Sequence, residues 1–367
     1  MNYQEFLESK KKIKETDGID IELDDLNPVL FDYQKAIVKK ALKKKRFALF
    51  EACGMGKTLQ QLEWAHQVNK ETNMPVLILA PLGVTVQTAY EEAPLLGYEV
   101  KVLRDDFSID NGLYITNYEQ LDNIDTNLFA GIVLDESSVL KNFTGKTRVQ
   151  LTNAFKNTKY RLCCTATPAP NDLMELLNHA DFLGIMTTAQ ALATYFINDI
   201  KTGSYRLKGH ATKDFYKWCC NWSVNIESPK DLGYEADYYV LPKLIEQNIM
   251  IDIDVIDDDF EHGLFREIGT SATSFHKEKN RTADVRAKKC AEIAMKDNEQ
   301  YLIWCDTNLE ADLLKKYIPE AVEVRGSDKP QRKERCALNF KNGKIRVLIS
   351  KPKIFGYGMN FQKCHNV

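Results

Sequence analysis

No CxxC spacing occurs among the nine cysteines of this 367-residue sequence; two pairs are adjacent, Cys163–Cys164 and Cys219–Cys220, and only at Cys364–His365 does a cysteine stand beside a histidine. Closely spaced ligand pairs mark structural zinc sites, and an even, regularly spaced set marks a disulfide framework, so neither is expected here. An odd thiol count suits a reducing cytoplasm. No apolar run approaches the roughly 20 residues that a membrane span needs. The opening MNYQEFLESKKKIKE is charged throughout and lacks the apolar core of a secretory leader. A basic excess is also missing, since the net charge is −3. Proteins that live by unspecific contact with polyanions are often basic overall, so any such contact must come from a local patch. Internal repeats and low-complexity tracts are absent.

The length suits about two domains of roughly 150 residues. Residues 1–24 are polar and read as a lead-in. Residues 31–45 (FDYQKAIVKKALKKK) read as a helix, with Tyr33, Ile37, Val38, Ala41 and Leu42 on one face and lysines on the other. Short apolar runs then alternate with helical patterns. Strands are expected at 46–52, 75–81, 98–104, 112–118, 131–136 and 161–167, with helices at 58–69 and 84–95. Continuous runs such as VLILA fit strands buried on both faces, and the alternation predicts a parallel α/β sheet. Residues 172–235 look more helical and less regular. A second α/β pattern has strands at 301–305, 321–326 and 345–350 and helices at about 309–317 and 329–341.

Three motifs carry chemistry. GMGKT, Gly54–Thr58, lies between a strand and a helix, the context a phosphate loop requires. Glycines let backbone N–H groups approach phosphate oxygens, and the helix N-terminus adds partial positive charge. Lys57 would reach the β and γ phosphates, and the Thr58 hydroxyl would bind Mg²⁺. The general pattern GxxxxGKT places glycine at position 51, where this chain has Glu51. Next comes GIVLDESS, whose apolar strand ends in Asp135–Glu136. Asp135 would hold Mg²⁺ and Glu136 would polarise the attacking water. An exposed acidic strand end is the likelier reading of that pair alone, but not when a phosphate loop lies upstream. Last is TATP, Thr165–Pro168, weak by itself because strand ends often carry Thr and Pro.

The order ACGMGKT, VLILAP, ITNYEQL, VLDESS, TATP and VLISKPKIFGYGMNFQ resembles the superfamily 2 helicases, and within them the Swi/Snf-related branch and the helicase-like proteins of phages and prophages. It covers about residues 28–367. The resemblance implies two RecA-like P-loop NTPase domains with parallel sheets, at 25–235 (with a helical insertion) and 236–367, the second incomplete. It implies ATP and Mg²⁺ as cofactors, and DNA as partner with RNA not excluded. An acidic residue near position 51 is common in that branch. Gln34 matches the glutamine that reads adenine. Gly54, Met55, Gly56, Lys57 and Thr58 match the phosphate loop, and Asp135 and Glu136 the DExx box. Thr165 and Thr167 match the coupling motif. Pro81 and Leu82 match a motif that touches the nucleic-acid backbone, and Gly358, Asn360 and Gln362 one that senses nucleotide and strand. RLKGHA and SPKDLGYEADYYVLPKL resemble the phage-type proteins. The setting implied is a bacterial or phage-infected cytoplasm; no protein partner and no membrane are implied.

The expected activity is therefore a DNA-dependent ATPase or helicase. The alternatives are a double-stranded DNA translocase that leaves strands paired, and a non-catalytic nucleotide- and nucleic-acid-binding module. A P-loop kinase would leave GYGMNFQ unexplained. Weaker features favour plain readings. The lysine face Lys35, Lys39, Lys40, Lys43, Lys44, Lys45 and Arg46 reads as solvated rather than phosphate-binding. The aromatic group Phe215, Tyr216, Trp218 and Trp222 reads as packing between domains rather than as a base-stacking platform. Asp252–Glu261 reads as a solvated edge, and Lys208 and His210 as backbone contacts or loop residues alike. The family's last motif, which supplies arginines to the γ-phosphate, has no counterpart before Val367. An arginine finger contributes about 10³–10⁵ in rate, or ~4–7 kcal/mol. The natural product is expected to extend past Val367, and its intact mass checks this.

Overall fold

The computed structural model describes residues 18–104, 108–142, 145–199, 204–236, 239, 242–251, 272–356 and 358–367. The chain divides into two compact units, residues 1–241 and 242–367. Asp252–Glu261 and most of the polar lead-in lie outside the described residues.

In the first unit, helix α1 (Asp32–Lys44) buries Tyr33, Gln34, Ile37, Val38, Ala41 and Leu42. Its lysines face outward as expected. Lys39 pairs with Glu22 at 2.9 Å and Lys43 with Asp20 at 3.3 Å, while Lys40 lies 5.4 Å from the centre of the Phe47 ring. Exposed pairs of this kind contribute about 0–1 kcal/mol each, so this is a solvated face with local partners. Strand β1 (Arg46–Glu51) follows, then α2 (Lys57–Thr72), β2 (Val76–Ala80) and α3 (Leu82–Gln87). The helix expected at 84–95 is broken. After α3 the chain makes a wider π turn over Thr88–Glu92 and a tight 3₁₀ turn over Ala93–Leu96. Pro94 has no N–H to continue an α-helical ladder.

Strands β3 (Val100–Val102), β4 (Leu113–Asn117), β5 (Gly131–Asp135) and β6 (Tyr160–Thr165) fall within the expected runs or one residue beyond, and helix α4 (Lys146–Ala154) separates the last two. Helices α5 (Glu175–Phe182) and α6 (Thr188–Tyr195) lead to an antiparallel hairpin, β7 (Phe196–Asp199) and β8 (Ser204–Leu207). Then come α7 (Thr212–Trp222) and β9 (Ser223–Ile226). Strand β9 is too short and too close behind a helix to be read as a strand from sequence. It nonetheless pairs with β1 and makes a seven-stranded sheet, ordered β3-β4-β2-β5-β6-β1-β9. Each neighbouring pair is parallel. The C-terminal strand ends therefore line one edge, where ligands of open α/β sheets bind.

The aromatic group on α7 belongs to the core of this unit rather than to packing between domains. Phe215, Trp218 and Trp222 are buried, and only Tyr216 is exposed. Trp222 meets Phe50 of β1 edge-to-face at 6.0 Å, and Phe215 meets Tyr195 at 5.4 Å. Helix α7 is amphipathic, and the large sheet supplies the apolar surface for its aromatic face. Lys208, one of the open basic candidates, donates to the carbonyls of Ala193 and Thr194 at 2.7 and 3.0 Å. It closes the end of α6.

The second unit contains helices α8 (Ala272–Arg281) and α9 (Ala283–Ala294), β10 (Tyr301–Trp304), α10 (Asn308–Tyr317), β11 (Val322–Val324), α11 (Pro330–Lys341), β12 (Val347–Ser350) and α12 (Pro352–Phe355). The three strands pair in parallel, in the order β10-β12-β11. Alternation along them separates two layers. Ile303, Val347 and Ile349 pack with Ala287, Ala291 and Leu314, while Leu302, Val324 and Leu348 pack with Ala337, Phe340 and Phe355. Among the described residues, no helix is long and apolar enough to cross a membrane.

Truncating the fully buried Trp222 to Ala is expected to lower the unfolding free energy by about 3–5 kcal/mol. Tyr216→Ala on the exposed side should change it by less than about 0.5 kcal/mol. Urea denaturation reads both.

Candidate functional site

The adjacent strands β5, β6 and β1 end together at Asp135, Thr165 and Glu51. After Glu51 the chain turns through Gly54 and Gly56, whose φ values of 85° and 72° favour glycine, and α2 begins at Lys57. A Cβ on Gly56 would lie 2.3 Å from Gln34 Nε2. The Met55 carbonyl between the glycines accepts from Tyr33 Oη at 2.6 Å, Gln34 Nε2 at 3.0 Å and Gln60 Nε2 at 3.3 Å. None of the described peptide bonds is cis. In a trans peptide the N–H points opposite to the C=O. Holding the Met55 carbonyl against α1 and α2 therefore turns the Gly56 N–H away from them, at the N-terminus of a sixteen-residue helix. That arrangement suits an anion.

Lys57 Nζ donates to the carbonyls of Glu51 and Ala52 at 2.9 and 3.0 Å. The loop thus closes around its own lysine. Glu51 is buried beneath it. One carboxylate oxygen accepts from Gln60 Nε2 at 2.8 Å, and the other is buried with no partner among the described residues. Burial pushes this carboxyl up to about 7, against the opposing pull of the Gln60 hydrogen bond and the Lys57 charge.

Asp135 is also buried, and burial raises it to about 6. Its Oδ1 accepts from Gln61 Nε2 at 2.7 Å, and its carbonyl from Tyr118 Oη at 2.5 Å. Gln61 stands three residues after Thr58 on α2, hence on the same helix face. This places Asp135 beside the start of that helix. Burial likewise raises Glu136, which the Lys57 charge and Thr165 oppose. Thr165 Oγ1 donates to Glu136 Oε2 at 3.4 Å and accepts from the Thr167 N–H at 3.1 Å.

The structure therefore gathers Gln34, Gly54, Met55, Gly56, Lys57, Thr58, Asp135, Glu136, Thr165 and Thr167 around one sheet edge. Gln34 is engaged at both ends, since its Oε1 also accepts from the Phe31 N–H at 3.0 Å. Pro81 caps α3 and Leu82 is its first residue, just past the end of β2. Gly358, Asn360 and Gln362 belong to the second unit. Gly358 has φ 66°, and the intervening Phe361 packs on Phe340 at 5.1 Å. No sequence motif marks Tyr33, Gln60, Gln61 or Tyr118 as site residues. The glutamine pair in TLQQLEW is the one signal available, two amides on a helix that otherwise reads as core.

The residues fit a nucleoside triphosphate with Mg²⁺. Glycine backbone N–H groups and a lysine suit phosphate oxygens. Burial disfavours the charged forms of Glu51, one of whose oxygens has no partner among the described residues, and of Asp135, and a nearby cation would favour them. Among the described residues no group of three or more His, Cys, Asp or Glu side chains is placed to hold a metal. Mg²⁺ is commonly bound by one or two carboxylates plus phosphate and water, and does not call for such a cage.

Residues 33–213 match the family described as SNF2-related domain. The p41 protein of Acyrthosiphon pisum secondary endosymbiont phage 1 is 24% identical over 397 residues, covering 91% of this chain and 83% of that protein. Among solved structures, the Sulfolobus solfataricus SWI2/SNF2 ATPase core in complex with dsDNA is similar at a TM-score of 0.50 and 18% identity, over 91% of this chain and 80% of that one. At that identity, it is the fold that is shared.

The Glu51 carboxyl is raised on folding from an ordinary 4.5 to about 7, so the folded chain binds its proton more tightly. Its contribution to stability is full below about 4.5 and is lost as pH rises through 7. Glu51→Gln is expected to stabilise the protein at pH 8 by on the order of 3 kcal/mol, with the gain vanishing at pH 4. Denaturation midpoints at the two pH values check the sign.

Proposed function

Since residues 33–213 match the family described as SNF2-related domain, we propose that the chain is a DNA-dependent ATPase that couples hydrolysis to movement along nucleic acid. One observation supports this best: a lysine-bearing phosphate loop and a buried Asp–Glu pair share one edge of a parallel sheet, joined by α2 and Thr165.

In this reading Lys57 exchanges the carbonyls of Glu51 and Ala52 for the β and γ phosphate oxygens of ATP. The backbone N–H groups of Gly54 to Thr58 cradle the same phosphates. Thr58 and Asp135 would hold Mg²⁺, which when bound would offset phosphate charge. Glu136 orients the attacking water and takes its proton, a role for which a carboxyl raised by burial is suited. Thr165 restrains the Glu136 carboxylate, and with Thr167 relays its state to the nucleic-acid path. Gln34 reads the adenine, and must first release Phe31 or Met55. Contact with the nucleic-acid backbone falls to Pro81 and Leu82, and strand sensing to Gly358, Asn360 and Gln362. The phage relative supports action in the cytoplasm of a bacterial or phage-infected cell.

A double-stranded DNA translocase that leaves the strands paired is the second reading, favoured by the SNF2-related match. A strand-displacement assay separates it from a helicase.

ATP hydrolysis is expected to rise on adding DNA, and Lys57→Ala to abolish it. Glu136→Gln should keep nucleotide binding and lower kcat by about 10²–10⁴. Turnover assays with double-stranded DNA, single-stranded DNA and RNA check this. Nucleotide bound without turnover under every condition would rule out a motor.

A further inference from the structure

Glu136 has φ 53°, one of the positive values among the described non-glycine residues. Such a conformation persists only where the surroundings hold it. The chain then makes a 3₁₀ turn over Ser137–Lys141, closed in part by the Val139 N–H donating to the Glu136 carbonyl at 3.2 Å. Both ends of that turn are held by consecutive residues of α5. At its start the Ser137 hydroxyl lies 3.1 Å from His179 Nε2. At its far end Asn178 Nδ2 donates to the carbonyls of Leu140 and Lys141 at 2.9 and 3.1 Å.

The histidine's chemistry follows from its partners. His179 is fully buried, and burial lowers it to about 4, so the ring is neutral. Its Nδ1 lies 3.3 Å from the Glu175 carbonyl. A carbonyl can only accept, so Nδ1 carries the hydrogen and Nε2 accepts from the Ser137 hydroxyl. The same ring meets Phe50, the neighbour of Glu51 in β1, edge-to-face at 5.1 Å. One imidazole thus touches the strand that feeds the phosphate loop and the turn that carries Glu136.

We propose that His179 is a positioning residue for hydrolysis, which with Ser137 and Asn178 sets the backbone of Glu136. This rests on the ATPase reading above. Thr165 holds the Glu136 carboxylate, and His179 holds the hydroxyl of the next residue, Ser137. Both residues belong to the stretch 165–182, which thus holds Glu136 from its carboxylate and from the turn that follows it.

The test uses the full chain with saturating double-stranded DNA. His179→Leu and Ser137→Ala are each expected to lower kcat roughly tenfold, as small misplacements of a reacting group do, with KM for ATP unchanged. The double variant should fall no further than either single one, because both remove the same hydrogen bond. His179→Gln keeps an acceptor at that place and should recover most of the rate. Unchanged kcat in the single variants, a rise in KM alone, or losses that multiply in the double variant would overturn the assignment. If His179→Leu does not fold, as urea denaturation would show, Ser137→Ala deletes one oxygen and carries the same test. An unmodified chain without Lys57-dependent turnover would refute the ATPase reading and this assignment together. An active chain with unaffected variants would refute only the assignment.

Discussion

The Met55 carbonyl is the point on which the candidate site depends. Tyr33 and Gln34 from α1 and Gln60 from α2 converge on that one oxygen. Their donation decides which way the 55–56 peptide faces, and so which way the loop offers its N–H. The glycine at 56 is required twice over, by its φ of 72° and by the Gln34 amide where a Cβ would go. Tyr33 is tied in turn to Tyr239 through their hydroxyls. The first helix of the fold therefore acts as a brace for the loop after the first strand.

Around that brace the electrostatics are unbalanced in a way that suits a charged ligand. Glu51, Asp135 and Glu136 are all raised by burial, and the charge of Lys57 opposes the rise in each. Buried carboxylates are costly unless paired or near a cation. Lys57 itself is occupied with backbone carbonyls. A triphosphate would draw the lysine away, and the carboxylates would then depend on a divalent ion. On the proposed reading, the positions of lysine, metal and phosphate would be linked through charge.

Much of the architecture was legible in the residues. Buried parallel strands advertise themselves as unbroken apolar runs, and β2 and β5 fall where such runs lie. The misses have local causes. Pro94 broke an otherwise helical pattern, and the four residues of β9 carry no signal apart from the partner strand they join. The aromatic residues of α7 looked like material for packing between domains because sequence does not reveal which surface an amphipathic helix will meet.

From the sequence alone came the chemistry of the site: a glycine loop with Lys57 and Thr58, an acidic pair at a strand end, a Thr-rich strand end, and their order along the chain. Those follow from residue type and short-range spacing, where one element's period is enough. Tertiary structure alone decided that β6 lies between β5 and β1, which brings Thr165 to Glu136, and that Gln61 reaches Asp135 across 74 positions. It also decided that His179 closes on Ser137 across 42. Strand order and such long-range hydrogen bonds depend on how elements pack. A linear pattern carries the period of each element but not the identity of its neighbour.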